Sequence, residues 1–109
     1  DTWVKRDPMA AMVHCIDAKT GKAHWTYDML GESWGSPLIV NDKVFVSDAD
    51  GEISIFELSA EPQEDPITME MRSAVLTSPV VANNTLFIAN RNRLYAIQEG
   101  AQSDPPKKK

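Results

Sequence analysis

Cysteine is nearly missing from this chain of 109 residues: Cys15 stands alone, so no intrachain disulfide braces the fold. Aromatic residues make up only 7% and glycine occurs five times. Apolar runs are only a few residues long, which excludes a transmembrane helix. No segment carries a sustained 3.6-residue apolar period, so helices of useful length are not expected. Positive charge is in deficit, with 11 Lys and Arg against 16 Asp and Glu. The net charge of −5 repels a phosphate backbone and argues against nucleic-acid binding. There is no Gly-x-Ser-x-Gly elbow, Gly-rich phosphate loop, Cys-x-x-Cys or His-Glu-x-x-His. The chain opens Asp1-Thr2-Trp3 with no leader pattern, so any leader is expected to have been removed or to lie outside these residues. What remains is an ordinary globular balance, 42% hydrophobic and 25% charged, with room for one small domain.

The strongest positive signal is an internal repeat. Gly35-Ser36-Pro37-Leu38-Ile39-Val40-Asn41-Asp42-Lys43-Val44-Phe45-Val46 aligns with Thr77-Ser78-Pro79-Val80-Val81-Ala82-Asn83-Asn84-Thr85-Leu86-Phe87-Ile88 at a shift of 42. A second element recurs as Val13 to Asp17, Ile53 to Glu57 and Leu94 to Gln98, with starts 40 and 41 residues apart. A period of about 40 built from short β-type runs is the length of one four-stranded propeller blade.

Strands are expected near 2–6, 11–17, 23–29, 36–41, 43–48, 52–58, 67–72, 77–82, 85–89 and 93–98. Asn41-Asp42 and Asn83-Asn84 sit between adjacent apolar runs, and Asn and Asp tolerate the left-handed φ of a two-residue hairpin. Asp50-Gly51 reads as a hairpin signal of the same kind. The pattern divides the chain into a partial blade (1–30), a complete blade (31–74), a partial last blade (75–100) and a tail (101–109) with nothing to bury, expected to be disordered. The expected fold is therefore all-β: two to three blades of antiparallel sheet, one complete and two incomplete. At about 40 residues per blade, such a chain cannot close a ring of 4–8 blades by itself.

The segment Cys15-Ile16-Asp17-Ala18-Lys19-Thr20-Gly21-Lys22-Ala23-His24-Trp25 resembles the blade signature of the pyrroloquinoline-quinone-like (quinoprotein-like) β-propeller repeats. The resemblance implies that Asp17, Thr20, Gly21 and Lys22 form the turn into an outer strand. It also implies that Trp25 docks between blades, with Gly21 allowing close backbone approach. The resemblance extends over residues 11 to 98 and fades toward the C-terminus, where Glu57-Leu58-Ser59-Ala60 replaces the turn and Trp25 has no counterpart. In closed propellers a strand from the other end of the chain often completes the last blade. Bacterial relatives include an outer-membrane protein assembly lipoprotein, which implies a periplasmic or otherwise extracytoplasmic place.

Two functions from different classes follow from the resemblance. The first is a non-catalytic scaffold or protein-binding module, with no cofactor. Its partners are another protein, the remaining blades of the same propeller, or a second copy through exposed blade faces. The second is part of a quinone- and calcium-dependent alcohol or sugar dehydrogenase whose catalytic residues lie elsewhere; no catalytic residue is assigned here. For that reading Trp34, just ahead of an innermost strand, is the candidate for the quinone. Asp48 and Asp50 are the candidates for calcium, although the matching loop pattern begins on Val46, which cannot ligate. A bulged or type I′ turn explains the same Asp and Gly without metal. His14 and Cys15 are neighbours on a strand and point to opposite faces, so they do not share an ion.

Overall fold

The computed structural model describes residues 8–100. It holds nine strands: β1 (Met12–Ile16), β2 (Ala23–Asp28), β3 (Leu38–Val40), β4 (Lys43–Ser47), β5 (Glu52–Glu57), β6 (Ile67–Glu70), β7 (Val80–Ala82), β8 (Thr85–Ala89) and β9 (Leu94–Ile97). No helix occurs among the described residues. The strands form three antiparallel sheets in the orders β1-β2, β3-β4-β5-β6 and β7-β8-β9. The expected strand at 2–6, which includes Trp3, and the tail from Ala101 to Lys109 lie outside the described residues.

Turn chemistry sets the register. Asn41 and Asn83 adopt φ of 50° and 51°, and Asp42 and Asn84 adopt 59° and 58°. Two consecutive left-handed residues define the type I′ turn, whose twist matches that of the flanking strands. Val40 then pairs with Lys43, and Ala82 with Thr85. The Asp50-Gly51 turn is of another kind. It spans Asp48–Gly51, with Gly51 N–H donating to Asp48 O at 3.3 Å and Gly51 as its left-handed residue at φ 96°. The innermost strands also begin later than the pattern suggested, at Leu38 and Val80, because the proline ahead of each strand has no N–H for a ladder.

The middle sheet buries both faces. Toward the first sheet it presents Val44, Val46 and Phe56, which pack with Val13, Cys15, Trp25, Tyr27 and Met29. Toward the third it presents Phe45, Ile53, Ile55, Met69 and Met71, which pack with Val75, Leu86, Ile88 and Tyr95. Adjacent residues of β4 and β5 therefore enter different cores, which is why these strands read as unbroken apolar runs.

Among the described residues, equivalent residues of successive repeats meet at the Ser-Pro edge. Ser36 N–H donates to Ser78 Oγ at 2.7 Å across a separation of 42 residues. A Cβ on Gly35 would lie 2.7 Å from Thr77 O. Farther out, Trp25 meets Ser59, 34 residues away. Copies related by rotation converge on their own equivalents near the axis, so the Ser-Pro edges mark the axis side. The repeat also runs through the linkers. Leu30 and Arg72 share φ of 66° and 65°. Ala49 N–H donates to Glu32 O at 2.7 Å as Arg91 N–H donates to Ala74 O at 3.0 Å. The shift then drops from 42 to 41 because Asn90-Arg91-Asn92-Arg93 is one residue shorter than Asp48-Ala49-Asp50-Gly51-Glu52.

Two glycines carry different loads. Gly51 combines φ 96° with a Cβ position 2.6 Å from Ser73 O, whereas Gly21 at φ 75° meets open space. The close approach expected at Gly21 thus occurs instead at Gly51, and Gly21 answers only to its dihedral. Gly21→Ala is expected to cost about 1 kcal/mol from left-handed strain alone. Gly51→Ala should cost about 1–3 kcal/mol more, because a backbone must move. Urea denaturation of the two variants in parallel checks the order.

Candidate interaction surfaces at the sheet junctions

The turn after β1 is held by its own polar groups. Asp17 Oδ1 accepts from Lys19 N at 2.8 Å and Thr20 N at 3.0 Å. Thr20 Oγ1 accepts from Lys22 N at 3.3 Å. These backbone donors, Thr20 foremost, hold the Asp17 carboxyl below its usual range, and His24 lies 3.6 Å away on the other oxygen. Asp17, Thr20, Gly21 and Lys22 are therefore gathered in one exposed turn. Trp25 is separate from them and buried. Its Nε1 donates to Ser59 O at 2.8 Å, and its ring stacks on Phe56 at 5.3 Å, with Tyr27 edge-on to Phe56 at 5.1 Å. Cys15 faces the same junction, with Sγ 3.6 Å from Ser59 O, while His14 points outward. Ser59, in the stretch where the second Asp turn is missing, thus serves as the Trp25 acceptor.

Asp48 is buried, and its Oδ1 accepts from Asp50 N at 2.9 Å and Glu52 N at 3.0 Å. The side chain of Asp50 lies beside Gly31, where a Cβ would stand 2.8 Å from Oδ2. Burial raises the Asp48 carboxyl above its usual range, with Asp50 adding to it against the backbone donors. Burial also raises Glu52, helped by Asp48, Glu70 and Asp50. The junction between the first two sheets is accordingly acidic. No group of three or more acidic, His or Cys side chains able to hold a metal ion occurs among the described residues. Asp48 Oδ1 is committed to its own turn, to which Asp50 contributes its backbone N–H.

Trp34 lies at the linker end of the sheets, 70% exposed, with Nε1 donating to Glu32 Oε2 at 2.9 Å. It shares a shallow groove with Glu32, Ala49, Ala74, Leu76 and Arg91. These are three pairs of repeat equivalents: 32 with 74, 34 with 76 and 49 with 91. Among the described residues, Trp34 is the aromatic side chain in this groove.

The junction of the second and third sheets has a different character. Ile67 takes the place of Trp25 there and is 63% exposed, so the outer part stays open. The cleft is lined by Glu70, Met71, Arg72, Ser73, Asn90, Asn92, Arg93, Tyr95 and Ile97. Asp48, Asp50 and Glu52 have become Asn90, Asn92 and Arg93. Asn90 Oδ1 keeps the turn role of Asp48, accepting from Asn92 N at 2.9 Å and Arg93 N at 2.7 Å. The sequence patterns assign no role to Arg72, Arg93 or residues 30–33. The usable signal was Met29 and Met71, identical at a shift of 42.

Two measurements follow. Trp25→Phe keeps the ring but leaves Ser59 O without its indole donor, and should cost about 1–2 kcal/mol by chemical denaturation. For Asp48, a raised folded-state pKa means the folded chain binds the proton more tightly than the unfolded one. The wild type therefore gains stability from Asp48 as pH falls from neutral through the raised value toward 3.8. Asp48→Asn copies Asn90, keeps the acceptor and removes the charge. It should raise the denaturation midpoint at pH 7 and lose that advantage near pH 4.

Comparison with known proteins agrees with the blade geometry. The family described as outer membrane protein assembly factor BamB matches residues 8–62, about half the chain. No curated protein matches the chain. The crystal structure of BamB from Moraxella catarrhalis is similar with a TM-score of 0.56 at 12% identity, over 72% of this chain and 24% of that one. The chain thus spans about a quarter of that protein's length. With the residues of the blade signature and the three radial sheets, this match settles the family: the chain belongs to that of outer membrane protein assembly factor BamB, with the all-β fold of partial β-propeller blades.

Proposed function

We propose that these blades act as a non-catalytic protein-binding scaffold in an extracytoplasmic bacterial protein. The observation that carries the reading is the linker-end surface, where Trp34 is 70% and Leu76 is 43% exposed beside Arg91. Trp and Arg at the centre of a patch are the residue types that dominate binding energy at protein interfaces. The two-sided cores hold the linkers at fixed distance, so repeat-equivalent positions present this patch as one rigid unit. The reading needs no cofactor; pyrroloquinoline quinone with calcium belongs to the alternative.

The test is site-specific photo-cross-linking from position 34 in the full-length protein. A discrete adduct with one protein, lost in Arg91→Glu with Leu76→Ala, is the expected result. The reading fails if no adduct forms and the protein instead acquires the quinone chromophore when given pyrroloquinoline quinone and Ca²⁺. The outer sheets carry a second expectation. Met12 and Ile16 on the first sheet are 43% and 55% exposed, and Val80 and Leu94 on the third are 54% and 70%. Such faces bury themselves against a neighbour. The 109-residue chain by itself should therefore self-associate in light scattering, with a mass that rises with concentration.

A further inference from the structure

One turn carries both linkers of the Trp34 surface. Ala49 N–H donates to Glu32 O at 2.7 Å, two residues before Trp34. Val75 N–H donates to Asp48 O at 3.3 Å, one residue before Leu76. Gly31 lies against the Asp50 side chain, and Gly51 against Ser73. The segments that present Trp34 and Leu76 therefore hang from Asp48–Gly51, and an opening of that turn releases both.

The third repeat builds the same joint without a charge. Asn90 Oδ1 accepts from Asn92 N and Arg93 N as Asp48 Oδ1 accepts from Asp50 N and Glu52 N. Arg91 N–H then donates to Ala74 O as Ala49 N–H donates to Glu32 O. A neutral amide oxygen satisfies this geometry, so the Asp48 carboxyl brings an ionisable group that the turn does not require. Asp48 is only 4% exposed. Its surroundings are acidic: Asp50 in the same turn, Glu52 on β5, and Glu70 on β6 directly opposite Glu52. The first sheet adds Tyr27, whose phenol feels the charge of Glu52, and Asp28, whose Oδ1 accepts from Leu30 N at 2.9 Å. The first linker adds Glu32, which holds the Trp34 indole. Of the bases, Arg91 lies in the groove with Ala49, and Arg72 meets Glu70 through its backbone N–H. No ion pair joins Asp48, Asp50, Glu52 or Glu70 to a base among the described residues.

A buried carboxylate without a cation is costly, and opening the turn to water relieves that cost. A protonated Asp48 keeps an acceptor oxygen and has no such reason to open. The raised proton affinity of the folded carboxyl agrees in sign: the closed turn gains stability as pH falls from neutral toward 3.8. We infer that Asp48 makes the turn at 48–51 a proton-sensitive joint, loosening the Glu32 and Val75 linkers when ionised and fixing them, and with them the Trp34–Leu76 surface, when protonated. The Asn90 joint is fixed in both conditions. This rests on the reading of that surface as the binding face and names its regulation: a partner meets a firmer surface in acid.

Hydrogen exchange of the full-length protein, followed by mass spectrometry and corrected for the intrinsic pH dependence of exchange, tests the joint. The peptides holding the Ala49 and Val75 amides should be several-fold better protected near pH 4 than at pH 7. The peptide holding the Arg91 amide should not change. In Asp48→Asn, which copies Asn90, protection at Ala49 and Val75 should already be high at pH 7 and stay level. Asp48→Ser, which keeps a short acceptor without charge, repeats the test should the first variant fold poorly. Equal protection at the two pH values in the wild type, a pH response retained in the uncharged variants, or the same response at Arg91 overturns the inference. A flat exchange profile with the Trp34 adduct intact would remove the joint and leave the scaffold; loss of the adduct with the pH response intact would do the reverse.

Discussion

Everything in this structure depends on the middle sheet carrying a core against each of its two faces. Its central strands alternate Val44, Phe45 and Val46, and then Ile53, Ser54, Ile55 and Phe56, so each side of the sheet is a core. A sheet of that kind has no stable existence alone. It requires a neighbour on each side, and the neighbours must twist with it, which is how a radial stack arises. The first and third sheets meet this need, and each turns one further face outward. Propagation of blades follows from the two-sidedness of each one.

The two junctions solve the same geometric problem with different chemistry. The first is closed at its outer side by Trp25 against Phe56 and by the indole bond to Ser59 O. Its turn is acidic, and burial of Asp48 works against the ionised carboxyl. The second keeps Met71 and Ile88 in the places of Met29 and Val46, but has Ile67 for Trp25 and Arg93 for Glu52. It is therefore open at its outer side and basic. Shared packing positions preserve the fold, while the free positions around them give each junction its own surface. For a scaffold this division is useful, because binding character changes from blade to blade without disturbing the core.

Much of the architecture was legible beforehand. The Asn41-Asp42 and Asn83-Asn84 turns declare themselves, since few residue pairs accept two left-handed dihedrals in succession. The shift of 42 is visible wherever side chains must match, as in Ser36 with Ser78 and Phe45 with Phe87. It fades along the linkers, where Leu30 and Arg72, or Glu32 and Ala74, need only the same backbone and not the same side chain. The Asp48–Gly51 turn left two forms open for a related reason. An Asp-Gly pair suits both a two-residue turn and a longer one closed by a left-handed glycine, and the choice rests on a strand spacing that local sequence does not state. Trp34 was read toward the axis as a quinone candidate; its tether to Glu32 and its exposure depend on how the linker lies over the next turn.

Local composition determined the strands, their hairpins and the spacing of the repeat, because each follows from dihedral preference and from alternation within a few residues. Tertiary structure alone decided which faces met. Ser59 O became the acceptor of Trp25 from 34 positions away, and Ser73 took the space that makes Gly51 irreplaceable. The exposed Trp34 groove and the basic cleft at Arg72 and Arg93 belong to the same class. Such contacts join segments distant along the chain, and no short stretch of chain records the rotation that brings one sheet against the next.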